Sequence, residues 1–140
     1  MKLTITKFFE DLGAPLTNWQ WSWGAVREDG TVIFRVWDDE MIVDDGREYA
    51  VLDSPGHWDS RLGAIERQEQ LALVRGGAPC YLVLLSGIDL QKSPRKRKIT
   101  GFNHHQLLVG GRIVERDGGL TLIEIVRRTT PMTVRVQRTR

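Results

Sequence analysis

Lys92, Arg95, Lys96, Arg97 and Lys98 put five cationic side chains within seven positions, beside Pro94 and between polar neighbours. Such a stretch predicts a loop, and cations fanned from a loop can each meet a phosphate and release the counterions held there. A solvated basic loop that binds nothing has the same composition, so the cations elsewhere matter. Arg112, Arg116, Arg127, Arg128, Arg135, Arg138 and Arg140 follow further along the chain. Net charge is only +2, yet residues 1–90 hold eight Lys/Arg against fifteen Asp/Glu, while residues 91–140 hold twelve against three. That split predicts a bipolar surface with a basic face for a polyanion, unless folding interleaves the two halves and cancels it.

Other chemistry is less well supported. Trp19, Trp21, Trp23 and Trp37 could stack on unpaired bases, with Trp19 and Trp21 the stacking candidates, although such a row more often packs a core. Asp38, Asp39, Glu40, Asp44 and Asp45, with Asp53, could hold Mg²⁺ for phosphodiester cleavage, but their spacing matches no metal loop and a solvated hairpin end is the better reading. Asn103, His104 and His105 are adjacent, and neighbouring strand residues point to opposite faces, so a phosphate or base contact by His104 is the modest proposal. Cys80, the only cysteine, lies in an apolar run that disfavours a thiolate, and no Gly-x-Ser-x-Gly elbow or phosphate-binding glycine loop occurs. No catalytic residue, metal or cofactor is assigned.

Thr4 or Thr6 can cap a short helix through Leu12 that Gly13 ends. From Trp19 the alternation of tryptophans predicts a strand, and Asp29-Gly30, Asp44-Asp45-Gly46 and Asp117-Gly118-Gly119 mark hairpin turns. Residues 31–37 are apolar at nearly every position, as in a strand covered on both faces. Leu62, Ile65, Glu69 and Ala72 or Leu73 keep roughly helical spacing up to Gly76-Gly77, the one long helix. Strands follow at 79–86, 99–102, 107–115, 120–127 and 132–137. The expectation is an α+β single domain over residues 1–140: a mostly antiparallel, strongly curled or half-open barrel-like sheet of about eight strands, with one long helix and one short N-terminal helix. One cysteine, no secretory pattern at the N-terminus and no apolar stretch of membrane-spanning length predict a soluble, cytoplasmic protein.

Phe8-Phe9-Glu10-Asp11-Leu12-Gly13-Ala14-Pro15-Leu16-Thr17-Asn18, then Trp21-Ser22-Trp23-Gly24-Ala25-Val26 and Val36-Trp37-Asp38-Asp39-Glu40, resemble a module of bacterial proteins of the HNH-endonuclease kind. Pro94-Arg95-Lys96 and Gly110-Gly111 are similar to its later part. The resemblance implies a role in recognising modified or foreign DNA for restriction. The cysteine pairs and dispersed His-Asn-His set of the nuclease are missing, so cleavage is not implied. The expected function is a DNA-binding module using Lys92, Arg95, Lys96, Arg97, Lys98, Arg112, Arg127, Arg128 and His104, with DNA and a nuclease or other protein as partners and no membrane. The alternatives are a small metal-dependent nuclease built on the acidic hairpin and a protein-interaction or inhibitor module.

Overall fold

A computed structural model of the chain describes residues 4–18, 22–54, 61–88 and 98–134, with the backbone alone at positions 88 and 98. Thr4 starts helix α1 (Ile5–Asp11), its Oγ1 accepting from the Lys7 N–H at 3.1 Å. Strands β1 (Gly24–Val26) and β2 (Val32–Trp37) form a hairpin closed through Gly30. A 3-10 turn (Asp38–Glu40) leads to the hairpin of β3 (Ile42–Asp44) and β4 (Arg47–Asp53). Its tip holds Asp45 at φ 52° and Gly46 at φ 75°, the left-handed backbone that Asp-Gly turns supply. Helix α2 (Arg61–Arg75) precedes β5 (Cys80–Ile88), β6 (Lys98–Phe102), β7 (Leu107–Arg116), β8 (Leu120–Thr129) and the helical turn α3 (Pro131–Val134).

All eight described strands belong to one sheet ordered β1-β2-β5-β7-β8-β4-β3, with β6 on β5. The expected half-open, barrel-like sheet is corrected by this path, which is open, ends on β1 and β3, and is mixed. β2 and β5 run parallel from Val32↔Cys80 to Trp37↔Leu85. Hairpin signals cannot disclose a parallel pair, because its strands are joined by a long crossover, here one that includes α2. The helix inventory also differs, at three among the described residues. A last strand is expected at 132–137, of which 135–137 lie outside the described residues; over 132–134 the chain is helical instead, Pro131 taking the first helical position and Thr130 receiving the Thr133 N–H on its carbonyl at 3.1 Å. Of the strand expected from Trp19, the described residues show Gly24–Val26, and Trp19 and Trp21 lie outside them.

Side chains alternate across β2 into two cores. Phe34 and Val36 face a cluster with Ala50, Leu52, Cys80, Leu82, Leu108 and Ile123, covered by Leu71 of α2. Ile33 and Trp37 face the other, with Val83, Leu85 and Leu107, covered by Phe8, Phe9 and Leu12 of α1 and by Val134. Burying both faces explains why β2 is apolar at nearly every position. No described helix is long and apolar enough to cross a membrane.

The buried face of α2 is not its most apolar one. Gly63, Arg67, Gln70 and Leu71 point inward, whereas Leu62, Ile65 and Leu73 remain 54%, 46% and 44% exposed. Arg67 gives the reason. Its Nη1 donates to the Leu52 carbonyl of β4 at 3.0 Å, and its Nη2 donates to the carbonyls of Trp23 at 3.0 Å and Arg35 at 3.3 Å. The guanidinium also lies 4.6 Å over the Phe34 ring. A single side chain from the helix therefore ties β4 to β2, two strands that share no ladder. Burial pulls its pKa down to about 10, which leaves it cationic at neutral pH.

Candidate functional site

The expected basic surface divides in three. Lys92, Arg95, Lys96 and Arg97, with the Lys98 side chain and both stacking candidates Trp19 and Trp21, lie outside the described residues. On either side of residues 89–97, the backbones of Ile88 and Lys98 pair with each other in the sheet. Arg112 and Arg127 are exposed on β7 and β8 and make no ion pair among the described residues. Arg128 and Arg116, by contrast, meet carboxylates from the acidic half of the chain: Arg128 with Glu48 at 3.1 Å and Arg116 with Asp44 at 2.9 Å. Arg47 with Glu124 and Arg75 with Glu115, each at 3.3 Å, join the halves in the same way.

The sheet register sets the Lys98 backbone apart from Arg128 along the strand direction. Lys98 pairs with Ile88, whereas Arg128 stands opposite Leu108, which itself pairs with Leu82 of β5. Six residues of β5, about 20 Å, separate the two points. His104 sits exposed in the connection from β6 to β7, its ring edge-on to Phe102 at 5.8 Å and 4.1 Å from His105. Asn103 shapes that connection by accepting the His105 and Gln106 N–H groups on Oδ1, each at 2.9 Å.

The acidic hairpin does not converge. Asp38 accepts from the Ser86 hydroxyl at 2.6 Å, and Asp44 is held by Arg116. Among the described residues no three His, Cys, Asp or Glu side chains are placed to hold one metal ion. Cys80 is buried against Gly110 and Ile123, and burial pushes its thiol well above the ordinary range. Trp23 is half-buried, 5.5 Å from Trp37, with the Arg35 guanidinium 4.4 Å over its ring. Arg35 donates from Nη1 to the Ser22 carbonyl at 2.9 Å. That tryptophan is committed to the fold.

A concave site arises where no motif pointed to one. Pro15 and Thr17, Ala25 and Val26 of β1, and Glu66, Glu69, Gln70 and Leu73 of α2 line a cleft of about 360 Å³. Glu66, Glu69 and Gln70 stand at i, i+3 and i+4, which brings three oxygen-bearing side chains onto one helix face. Glu66 accepts from the Ser22 hydroxyl at 3.1 Å, and Ser22 is fixed in turn by the Asn18 N–H on its Oγ at 3.0 Å. Partial burial raises the Glu66 carboxyl above its ordinary value; the hydroxyls of Ser22 and Thr17 and the charge of Arg67 oppose that rise, and Glu69 adds to it.

Gln70 is 3% exposed, and its Oε1 has no hydrogen-bond partner among the described residues. It rests against Gly24, where a Cβ would fall 2.5 Å from that oxygen. A buried acceptor without a donor is uncommon and calls for an explanation. The only sequence signal for this site is the polar interruption of α2 by Glu66, Arg67, Glu69 and Gln70, which an apolar-periodicity reading passes over. No protein-family model, no curated protein and no solved structure matches the chain.

Proposed function

We propose that the chain is a nucleic-acid-binding module that engages DNA through its basic C-terminal half, in a setting where modified or foreign DNA is read. The observation that carries this reading is the exposure of Arg112 and Arg127 on the β7–β8 ribbon without carboxylate partners among the described residues, in the half of the chain that holds twelve cations against three acids. Exposed cations on neighbouring strands of one ribbon suit a polymer with recurring phosphates better than a small anion. Contacts of this kind position the protein on the backbone and do not by themselves specify sequence. The His104 loop and the 89–97 segment precede the same ribbon in the chain and extend the proposed footprint.

The test is a titration with plain and cytosine-modified duplexes at two salt concentrations. Changing Arg95, Lys96 and Arg97 together to Ala is expected to weaken binding to every duplex and to flatten its salt dependence. Absence of any complex at low salt defeats the proposal. Equal affinity for plain and modified duplexes keeps the DNA-binding reading and removes modification from it.

A further inference from the structure

We infer that Val126 reads the 5-methyl group of a pyrimidine, thymine or 5-methylcytosine, in the major groove of a duplex. The inference rests on the DNA reading above and names what the β7–β8 ribbon recognises there.

The ladder between β7 and β8 breaks twice around this side chain. Val109 pairs with Arg127 and Gly110 with Ile125, so Val126 has no partner across the ladder. The next pair is Ile113 with Ile123, so Gly111 and Arg112 together stand against Glu124 alone. An extra residue on each strand twists the ribbon and re-aims the side chains it carries. Val126 is left 54% exposed, the one exposed large apolar residue of β7 and β8 among the described residues. It lies across Gly111, where a Cβ would fall 2.7 Å from Val126 Cγ1, so a larger residue at 111 would displace the valine. A β-branched side chain seated in this way keeps few rotamers and is already aimed.

Its neighbours supply the setting. Arg112 follows Gly111 and Arg127 follows Val126, both exposed and without an ion pair among the described residues. β5 pairs with β7 only as far as Gly110, and β4 with β8 only as far as Ile125, so each arginine stands beside an open flank. An apolar side chain between two such cations matches a groove with phosphates at its rims and base edges on its floor. The major groove, about 12 Å wide, admits two strands about 4.8 Å apart. Its floor offers one apolar feature, the C5 methyl of thymine, which 5-methylcytosine shares. A valine side chain makes no hydrogen bond, so that methyl is what it can tell apart.

The experiment is a fluorescence-anisotropy titration of the full chain, at constant salt, with three duplexes of one mixed sequence. The first carries thymine, the second deoxyuridine at every thymine position, and the third is the uracil duplex with 5-methylcytosine for every cytosine. The parent is expected to bind the uracil duplex about fourfold more weakly than the thymine duplex for each methyl contacted, the worth of burying one group of that size. Recovery in the third duplex extends the source to methylated cytosine, and no recovery confines it to thymine. Val126→Ala withdraws both γ-methyls at an exposed position. It is expected to bind the uracil duplex as the parent does, with the parent's salt slope and a melting temperature within a few degrees, and to lose the preference for methylated duplexes. A parent that binds all three duplexes alike overturns the inference and leaves the DNA reading standing. So does a methyl preference that survives Val126→Ala, which would belong to the deformability of the duplex and not to this side chain. No complex with any duplex defeats both.

Discussion

At the scale of single residues, the fold tolerates polar groups that stability alone would not select. Burying an acceptor without a donor costs about 1–3 kcal/mol, and Gln70 Oε1 is in that position. Gln70→Leu is therefore expected to raise the melting temperature; a lower melting temperature would show that the amide is needed for packing. Glu66 behaves similarly through its charge. Its folded-state pKa stands above the unfolded value because burial disfavours the carboxylate. The group consequently favours folding fully below the unfolded pKa, and that contribution disappears as pH rises through the folded pKa. Arg35 and Arg67 attract the carboxylate and Glu69 repels it, with the hydroxyls of Ser22 and Thr17 bonded to it. Glu66→Gln should accordingly gain melting temperature over the parent as pH increases from about 3.5 to about 7.5, a range that spans the ordinary carboxylate values. A difference that is flat or shrinks over the same melts would remove burial as the governing cause.

At the scale of elements, local signals were legible and long-range pairings were not. The Asp-Gly pairs at 29–30 and 45–46 mark real hairpin turns because a left-handed backbone demands those residues whatever surrounds them. Nothing in the sequence announces that β2 pairs with β5, since residues 38–79 between them are free to cross over in many ways. The face of α2 was hidden for another reason. Periodicity assumes that burial follows hydrophobicity, yet Arg67 and Gln70 go inside while Leu62 and Ile65 stay out, since a guanidinium is what joins β4 to β2. Removing it tests that role. Arg67→Met should fit the apolar surroundings but forgo three charge-assisted bonds to carbonyls, at a cost of about 3 kcal/mol or more. Arg67→Lys keeps the charge without the fork and should fall between. Urea midpoints at constant slope measure both, and a methionine variant as stable as the parent would mean that the sheet needs no such tie.

At the scale of the molecule, the charge asymmetry of the chain is partly consumed in holding its halves together. Asp44 and Glu48 of the acidic half lie against Arg116 and Arg128 of the basic half, so segregation in sequence does not become full segregation in space. These pairs are exposed, and each is worth about 0–1 kcal/mol, so their influence on stability is small and their influence on the surface potential is the larger effect. That distinction yields a contrast between two double variants. Arg112→Ala with Arg127→Ala removes cations that have no acid beside them among the described residues. Arg116→Ala with Arg128→Ala removes cations already answered by carboxylates, and uncovers Asp44 and Glu48. If DNA lies along the β7–β8 ribbon, the first variant neutralises fewer phosphates, and its slope of log affinity against log salt should become shallower by about 0.9 for each phosphate left unanswered. The second removes cations that are already answered, so its slope should change less than that of the first, the two bared acids adding only a repulsion that salt screens. Titrations over a salt series measure both slopes. A first variant with the parent slope would take the ribbon out of the interface and leave the 89–97 segment and the His104 loop to carry it.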